Sequence, residues 1–440
     1  MEIDSAQPSL AQAADAQAFA ERHFRWNATW LVVENAGFLI AIAFVSSVTV
    51  LPALVTRLGG SPTLVGLIGT CQTAGWLLPQ LVGAGLCGGK PRMLPYILGP
   101  LYVGRPAFIV VAAALLLLGP GNPAPVFAVF YVALLVFFAT DGLASVAWYE
   151  LIGKTVPANR RGRMFGSAQI VGGLGGVAVG GLVAWILERP DLAFPTNYAV
   201  LFALSGALFL VNLVPFWLVR EPFGAAGDPT GQRESFSART FVAQLLPILR
   251  RDRNFVRLVG ARLLFGAAMT TAPFYVLLMG QVFGLGQEWI GVFLSAQLLG
   301  GLVGGLVIGW VADHLGTRSA IAMSGLVGGA LPAITLAMLG LGRASEPVAP
   351  YVGALLFLLV GLVGSANMIA FVNYLLEVAP LEQRTTYVGL FNTLAGALLV
   401  VPTLAGWLLE LTSFGVLFAA ALALSAACLM VAAGLREGER

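Results

Sequence analysis

The sequence predicts an all-α membrane protein of twelve transmembrane helices arranged as two pseudo-symmetric six-helix bundles. Three observations carry this. Of 440 residues, 58% are hydrophobic and only 10% charged, and the mean hydropathy is +0.88, whereas a soluble domain carries about 25% charged residues. The apolar residues come in long runs, and a hydrocarbon core of ~30 Å needs about 20 apolar residues of helix. The runs do not alternate over about ten residues, as barrel strands would, which leaves helices to satisfy the backbone in lipid.

Charge clusters and Gly/Pro turns divide the chain into spans near 29–56, 62–87, 93–119, 124–152, 162–187 and 197–220, then 255–283, 288–313, 317–342, 348–379, 385–410 and 413–435. Residues 1–28 read as a polar arm with Glu2, Asp4, Asp15 and Glu21 and no basic start, unlike a signal peptide. The interval 221–254 separates the bundles 29–220 and 255–435. It holds Arg233, Arg239, Arg250, Arg251 and Arg253, and 236–252 are compatible with a helix lying along the membrane surface. Residues 436–440 form a short tail. With the N-terminus inside, the outer segments hold only Arg57, Arg189 and Arg343, and the other loop Lys and Arg residues are all inner. This bias puts both termini in the cytoplasm of a plasma membrane.

Some functions are excluded. Cys71, Cys87 and Cys428 lie in apolar stretches, and His23 and His314 are far apart, so no disulfide framework, metal site or catalytic dyad is visible. No Gly-x4-Gly-Lys-Ser/Thr string occurs, which argues against a nucleotide-driven pump. The basic residues form no patch for nucleic acid. No cofactor is implied, and no nucleophile or paired catalytic carboxylates suggest an enzyme.

The two halves repeat each other. Leu64-Val65-Gly66 matches Trp289-Ile290-Gly291. Glu150, Pro157, Arg161, Gly166 and Gln169 match Glu377, Pro380, Arg384, Gly389 and Asn392. Between spans 8 and 9 stands Gly309-Trp-Val-Ala-Asp313-His-Leu-Gly316-Thr-Arg318. The matching loop, Gly83 to Arg92, keeps glycines and bases but has Cys87 in place of an acid. Six plus six spans, a basic central loop and these motifs resemble the major facilitator superfamily, whose loop pattern is Gly-x-x-x-Asp-x-x-Gly-x-Arg/Lys. The resemblance covers about residues 29–435. It implies alternating access, with two bundles rocking about a midplane site, and spans 1, 4 and 7 lining the cavity with span 3 behind. It also implies a gate in which Asp313 faces the N-terminus of span 5 near Arg161 and Arg163, with Gly309, Gly316 and Arg318 shaping the loop; a hydrated turn residue is the alternative. Glu150 and Glu377 are expected to pair with Arg161 and Arg384. Span 5 carries Gly172, Gly176 and Gly180 without the Gly-Pro pair of the superfamily's antiporters, so helix packing explains its glycines.

Ionisable residues inside spans are costly, roughly 2.5–3.5 kcal/mol each, and are default functional candidates. Glu34 lies about 7 Å into span 1 and Arg262 about 10 Å into span 7; Arg105 and Asp141 lie in spans 3 and 4. The first half thus holds two acids and one base. Arg105 can fork onto one of them, and the acid left over is the proton-coupling candidate: Asp141 or Glu34, with Arg105 and Arg262 tuning it. Glu34 and Arg262 could also pair across the cavity, and Arg105–Asp141 could be a static pair. Asn35, Gln72, Trp76, Trp148, Tyr149, Gln169, Tyr275, Gln297, Asn367, Asn373, Tyr374 and Asn392 are candidates for reading a substrate or for bonding helices together. The expected protein is a monomeric, proton-coupled secondary transporter of a small organic solute, with efflux of an amphipathic or drug-like compound favoured. A nutrient uniporter or importer, and a non-transporting membrane-complex assembly protein, are the alternatives.

Overall fold

Lipid offers the backbone no hydrogen-bond partner, so each apolar run closes its own bonds as a helix. The computed structural model describes residues 10–119, 121–222 and 247–436, with side chains at all of these except 10–16, 367, 368, 382 and 385. The described residues form twelve spans. Span 1 is Leu10–Ala43 and Val50–Arg57, span 2 is Pro62–Cys87, and span 3 is Leu94–Gly104 and Ala107–Leu118. Span 4 is Pro123–Thr155, span 5 is Arg161–Glu188, and span 6 is Thr196–Val211 and Val214–Leu218. Span 7 is Arg253–Met269 and Ala272–Gln281, span 8 is Glu288–Leu315, and span 9 is Thr317–Leu341. Span 10 runs from Ala349–Gly364 to Asn373–Val378, span 11 from Arg384–Ala395 to Val401–Leu411, and span 12 is Phe414–Ala433. Ten apolar stretches are long enough to cross a bilayer, and one of them, Thr317–Val378, holds two spans. Pro62–Cys87 supplies the remaining span, its hydropathy diluted by Gln72 and Gln80.

Two boundaries need correction. The first helix starts at Leu10, inside the stretch expected as a polar arm. Ala, Gln, Glu and Arg are strong helix formers, and the segment is tied down: Trp26 Nε1 donates to Leu218 O at 2.7 Å, and Arg160 lies over the Phe24 ring. Arg253, expected in the central loop, opens span 7, with Asp252 capping it through Phe255 N at 2.9 Å. Most of the surface helix expected at 236–252 lies outside the described residues.

The spans break where the sequence supplies a cause. Pro106 has no N–H and follows Arg105 at the break in span 3. Ser46 Oγ accepts from Val48 N and Thr49 N at the break in span 1. Thr270 and Thr271 return their hydroxyls to Ala267 O and Ala268 O, both at 2.7 Å, just before Pro273 in span 7. Span 10 contains a π-helical turn, Asn367–Val372.

Chain contacts define two compact units that do not follow the six-plus-six division. The first comprises the described parts of Met1–Phe44, Cys71–Gly175 and Ala193–Ser237. The second comprises those of Val45–Thr70, Gly176–Leu192 and Ala238–Arg440. Within the second, parts of spans 1, 2 and 5 pack on the later spans. A methyl group on Gly66 would fall on the Pro402 carbonyl, and one on Gly406 on the Pro62 carbonyl, so spans 2 and 11 cross in backbone contact. Gly180 and Gly291 meet in the same way where spans 5 and 8 cross, and Ser295 Oγ donates to Val177 O at 2.9 Å. Gly66 and Gly291, equivalent in the sequence repeat, are thus both crossing points. The glycines of span 8 serve span 10 as well: Gly300 and Gly304 face the carbonyls of Leu358 and Leu362.

The repeat also sets matching helix ends. Pro157 and Pro380 each lead a short 3-10 turn, Ala158–Arg160 and Leu381–Gln383. The next residue, Arg161 or Arg384, reaches back to Gly153 O or Leu376 O, in both cases at 2.8 Å.

Replacing Gly66 or Gly291 with Val should lower the thermal midpoint of the purified protein, at an overpacking cost of about 1–3 kcal/mol. Gly181→Ala, with open space around its Cβ, should leave the midpoint unchanged.

Candidate functional site

Three of the four ionisable residues expected inside the spans come together in the first unit. Span 4 approaches span 3 at Gly104, where any side chain would strike Thr140. It approaches span 2 at Gly142, where a Cβ would meet the Gly75 and Trp76 carbonyls. Asp141, held between those two contacts, reaches the break in span 3. Arg105 Nη2 lies 3.1 Å from Asp141 Oδ1, with the side chains 3% and 6% exposed. The guanidinium also faces three rings, Phe209 at 4.7 Å, Phe38 at 5.3 Å and Phe137 at 5.4 Å, which supply cation–π attraction in place of water. Arg105 Nε and Nη1 and Asp141 Oδ2 are buried without a hydrogen-bond partner.

Glu34 is positioned from span 6. Asn212 Nδ2 donates to the Glu34 carbonyl at 3.0 Å, and the missing side chain of Gly37 makes room for it. The Glu34 carboxylate, 5% exposed, accepts from Trp148 Nε1 at 3.0 Å and makes no ion pair within its unit. Asp141, Ser145 and Trp148 fall on one stripe of span 4 at i, i+4 and i+7. Both acids line a cavity of about 170 Å³, with Asn35 and Phe38 from span 1, Trp76 from span 2 and Arg105 from span 3. Ser145, Trp148 and Tyr149 come from span 4, and Phe216 from span 6. Spans 3 and 6 therefore contribute to the wall, where the resemblance put span 3 behind it.

The other candidates scatter. Arg262 lies in the second unit, its guanidinium 4.2 Å from the centre of the Phe391 ring and its Nη1 buried without a partner. Gln72 is half-buried one turn before Trp76, and Gln169, Asn373 and Asn392 are exposed. Tyr275 is a core residue stacked on Phe418 at 4.8 Å, because its ring is flanked by the aromatic side chains of spans 10 and 12. Gln297 Oε1 is buried without a partner. The side chain of Asn367 lies outside the described residues. Tyr374 joins helix ends, donating to Arg436 O at 2.8 Å and accepting from Asn254 Nδ2 at 3.0 Å.

The gating candidates separate by role. Asp313 is exposed and makes no ion pair within its unit. Gly316 takes φ +89°, a turn that favours glycine; Gly309 faces open space; and Arg318 Nη2 donates to Ala433 O at 2.9 Å. The expected pairs Glu150–Arg161 and Glu377–Arg384 do not form. Glu150 lies 3.7 Å from Lys154, and Glu377 accepts from Thr317 Oγ1 at 2.6 Å. The arginines bond the last carbonyls of spans 4 and 10 instead, because helix C-termini leave orphan acceptors at their negative pole.

Three structural residues escaped the sequence reading. Glu221 accepts from Met93 N and Leu94 N and so caps span 3. Asn27 exchanges hydrogen bonds with Arg220 N and O at 2.9 and 3.0 Å, and Asn254 Oδ1 accepts from Arg436 N at 3.0 Å. The shared string Asn-x3-Leu-Val, at Asn27 and at Asn254, was the available signal.

Removing one partner of a buried pair costs about 3–5 kcal/mol, while replacing both with apolar groups is often neutral. Arg105→Met should therefore destabilise strongly, and Arg105→Met with Asp141→Leu should recover most of the loss, as read by unfolding in mixed micelles.

The profile of the Major Facilitator Superfamily matches residues 33–400 and 290–440. No curated protein sequence matches the chain. Among solved structures, a bacterial homologue of the iron transporter ferroportin in an inward-facing state is similar, with TM-score 0.67 and 14% identity over 93% of this chain and 98% of that one. The nucleoside transporter NupG gives 0.63 and 13% over 93% and 98%. A D-xylose-proton symporter gives 0.62 and 17% over 92% and 96%. At these identities the likeness is one of fold.

Proposed function

The chain belongs to the major facilitator superfamily of membrane transporters, and on that premise we propose that it is a proton-coupled secondary transporter in which Glu34 carries the proton. One observation supports this reading above others. The first unit has one intramembrane base for two acids, and Arg105 pairs with Asp141, so Glu34 stands in the cavity wall with only the neutral Trp148 Nε1 bonded to its carboxylate. A carboxylate without a cation, open to a cavity, can take a proton in one facing state and release it in the other. Asp141 and Arg105 are then a fixed pair, and Arg262 belongs to the second unit.

The cavity walls favour a small, partly aromatic or amphipathic organic solute: Phe38, Trp76, Trp148 and Phe216 line it together with the polar Glu34, Asn35, Asp141 and Ser145. With both termini in the cytoplasm, as the Lys and Arg bias indicates, an inward proton gradient would drive such a solute out of the cell.

The test is flux of a small-compound panel into proteoliposomes with and without an imposed pH gradient. Wild type should show gradient-driven flux. Glu34→Gln should lose the gradient dependence while still exchanging substrate at equal pH. Loss of coupling in Asp141→Asn with coupling intact in Glu34→Gln would reject Glu34 as the carrier.

A further inference from the structure

We infer that the Glu34 cavity takes a small organic ammonium ion, which shares the Glu34 carboxylate with the proton. The inference rests on the reading of Glu34 as an exchangeable acid and adds what replaces the proton. The charge count around the cavity is the first argument. Two carboxylates and one guanidinium line it, so one negative charge is in excess when all three are ionised. An anionic ligand finds no free counter-charge within this unit. Arg105 is already on Asp141 at 3.1 Å, and phenyl rings lie over its faces.

The wall chemistry is the second argument. Trp76, Trp148 and Tyr149 border the cavity beside Glu34, and Trp148 and Tyr149 meet edge to face at 5.0 Å. Aromatic faces next to a carboxylate recognise ammonium groups, quaternary ones above all. Asp141 Oδ2 is a buried acceptor without a partner on the same wall, suited to an N–H or O–H carried by the ligand. A divalent metal is poorly served. No group of three or more His, Cys, Asp or Glu that could hold one occurs among the described residues, and one of the two acids is already paired.

The consequence is competition. A proton on Glu34 removes the charge that holds the ammonium, and an ammonium on Glu34 expels the proton, so the exchange conserves charge within the site. The groups facing Glu34 within its unit are Arg105 on span 3, Asp141, Trp148 and Tyr149 on span 4, and Asn212 on span 6, where no titratable side chain adjoins it. Span 5 meets span 1 through Gly172 and Gly175 and adds no charge.

The experiment is equilibrium binding to the purified full-length protein, from mildly acidic to mildly basic pH. The probes are tetramethylammonium, choline and benzyltrimethylammonium, which stay charged throughout. The control is the neutral carbon isostere of choline, with a tert-butyl group in place of the trimethylammonium. At least one ammonium should bind, weakening as pH falls, and the isostere should bind roughly tenfold more weakly or worse. Glu34→Gln should bind the ammonium roughly tenfold more weakly and without pH dependence, and Trp76→Ala should weaken binding with the carboxylate retained. Equal binding of the isostere, unchanged binding in Glu34→Gln, or no ammonium binding to folded wild type overturns the inference, as does binding of a divalent metal alone. Proton uptake without ligand separates the two readings. Uptake that depends on Glu34 without any ammonium binding defeats only the cation assignment. Ammonium binding that depends on Glu34 but ignores pH defeats the proton reading and the sharing of the carboxylate, and leaves only the cation assignment.

Discussion

Arg105 and Asp141 face each other 3.1 Å apart in a poorly hydrated interior, and much of the first unit is arranged to let them. Gly104 and Gly142 remove side chains so that spans 2, 3 and 4 close around Asp141. Pro106 breaks span 3 immediately after Arg105. Phe38, Phe137 and Phe209 enclose the guanidinium from spans 1, 4 and 6. A pair buried this deeply contributes little net stability against an apolar substitute but penalises the loss of either member. Its chemical effect is arithmetic: it occupies the one intramembrane base of its unit and leaves the Glu34 carboxylate without an ion pair there, which is the premise of the proposed proton coupling.

The second constraint is backbone contact at helix crossings. In lipid, helices gain nothing from hiding apolar side chains from one another, so close approach of small residues supplies the adhesion. Gly66 against Pro402, Gly406 against Pro62 and Gly180 against Gly291 follow this logic within one unit. Hydroxyl groups add to it, as in Thr70 Oγ1 to Leu399 O at 2.9 Å. The termini are handled by side chains: Glu221 at the start of span 3, and Arg161 and Arg384 at the ends of spans 4 and 10.

Much of this was legible in the sequence, for identifiable reasons. Spans follow from the length of the apolar runs, which physics ties to bilayer thickness. The repeats around Gly66 and Gly291, and around Arg161 and Arg384, mark real crossings and caps. The break at Arg105–Pro106 follows from the missing N–H of proline. What escaped depends on partners distant in sequence. Nothing local says that Arg161 prefers the Gly153 carbonyl to Glu150, or that Tyr275 turns into the core while Trp148 turns toward Glu34. Which acid lies across from Arg105 is equally non-local: Gly104 and Gly142 bring Asp141 there through helix approach, with no motif of their own. At residues 10–28 the polarity of the segment masks the helix propensity of its Ala, Gln and Glu residues.

The central claim is that Glu34, and not Asp141, changes protonation during the cycle. Infrared difference spectroscopy on the reconstituted protein, stepping the pH, reads this directly through the carbonyl stretch of a protonated carboxylic acid. The account predicts a pH-dependent band that disappears in Glu34→Gln and persists in Asp141→Asn. A band that persists in Glu34→Gln and disappears in Asp141→Asn would contradict it.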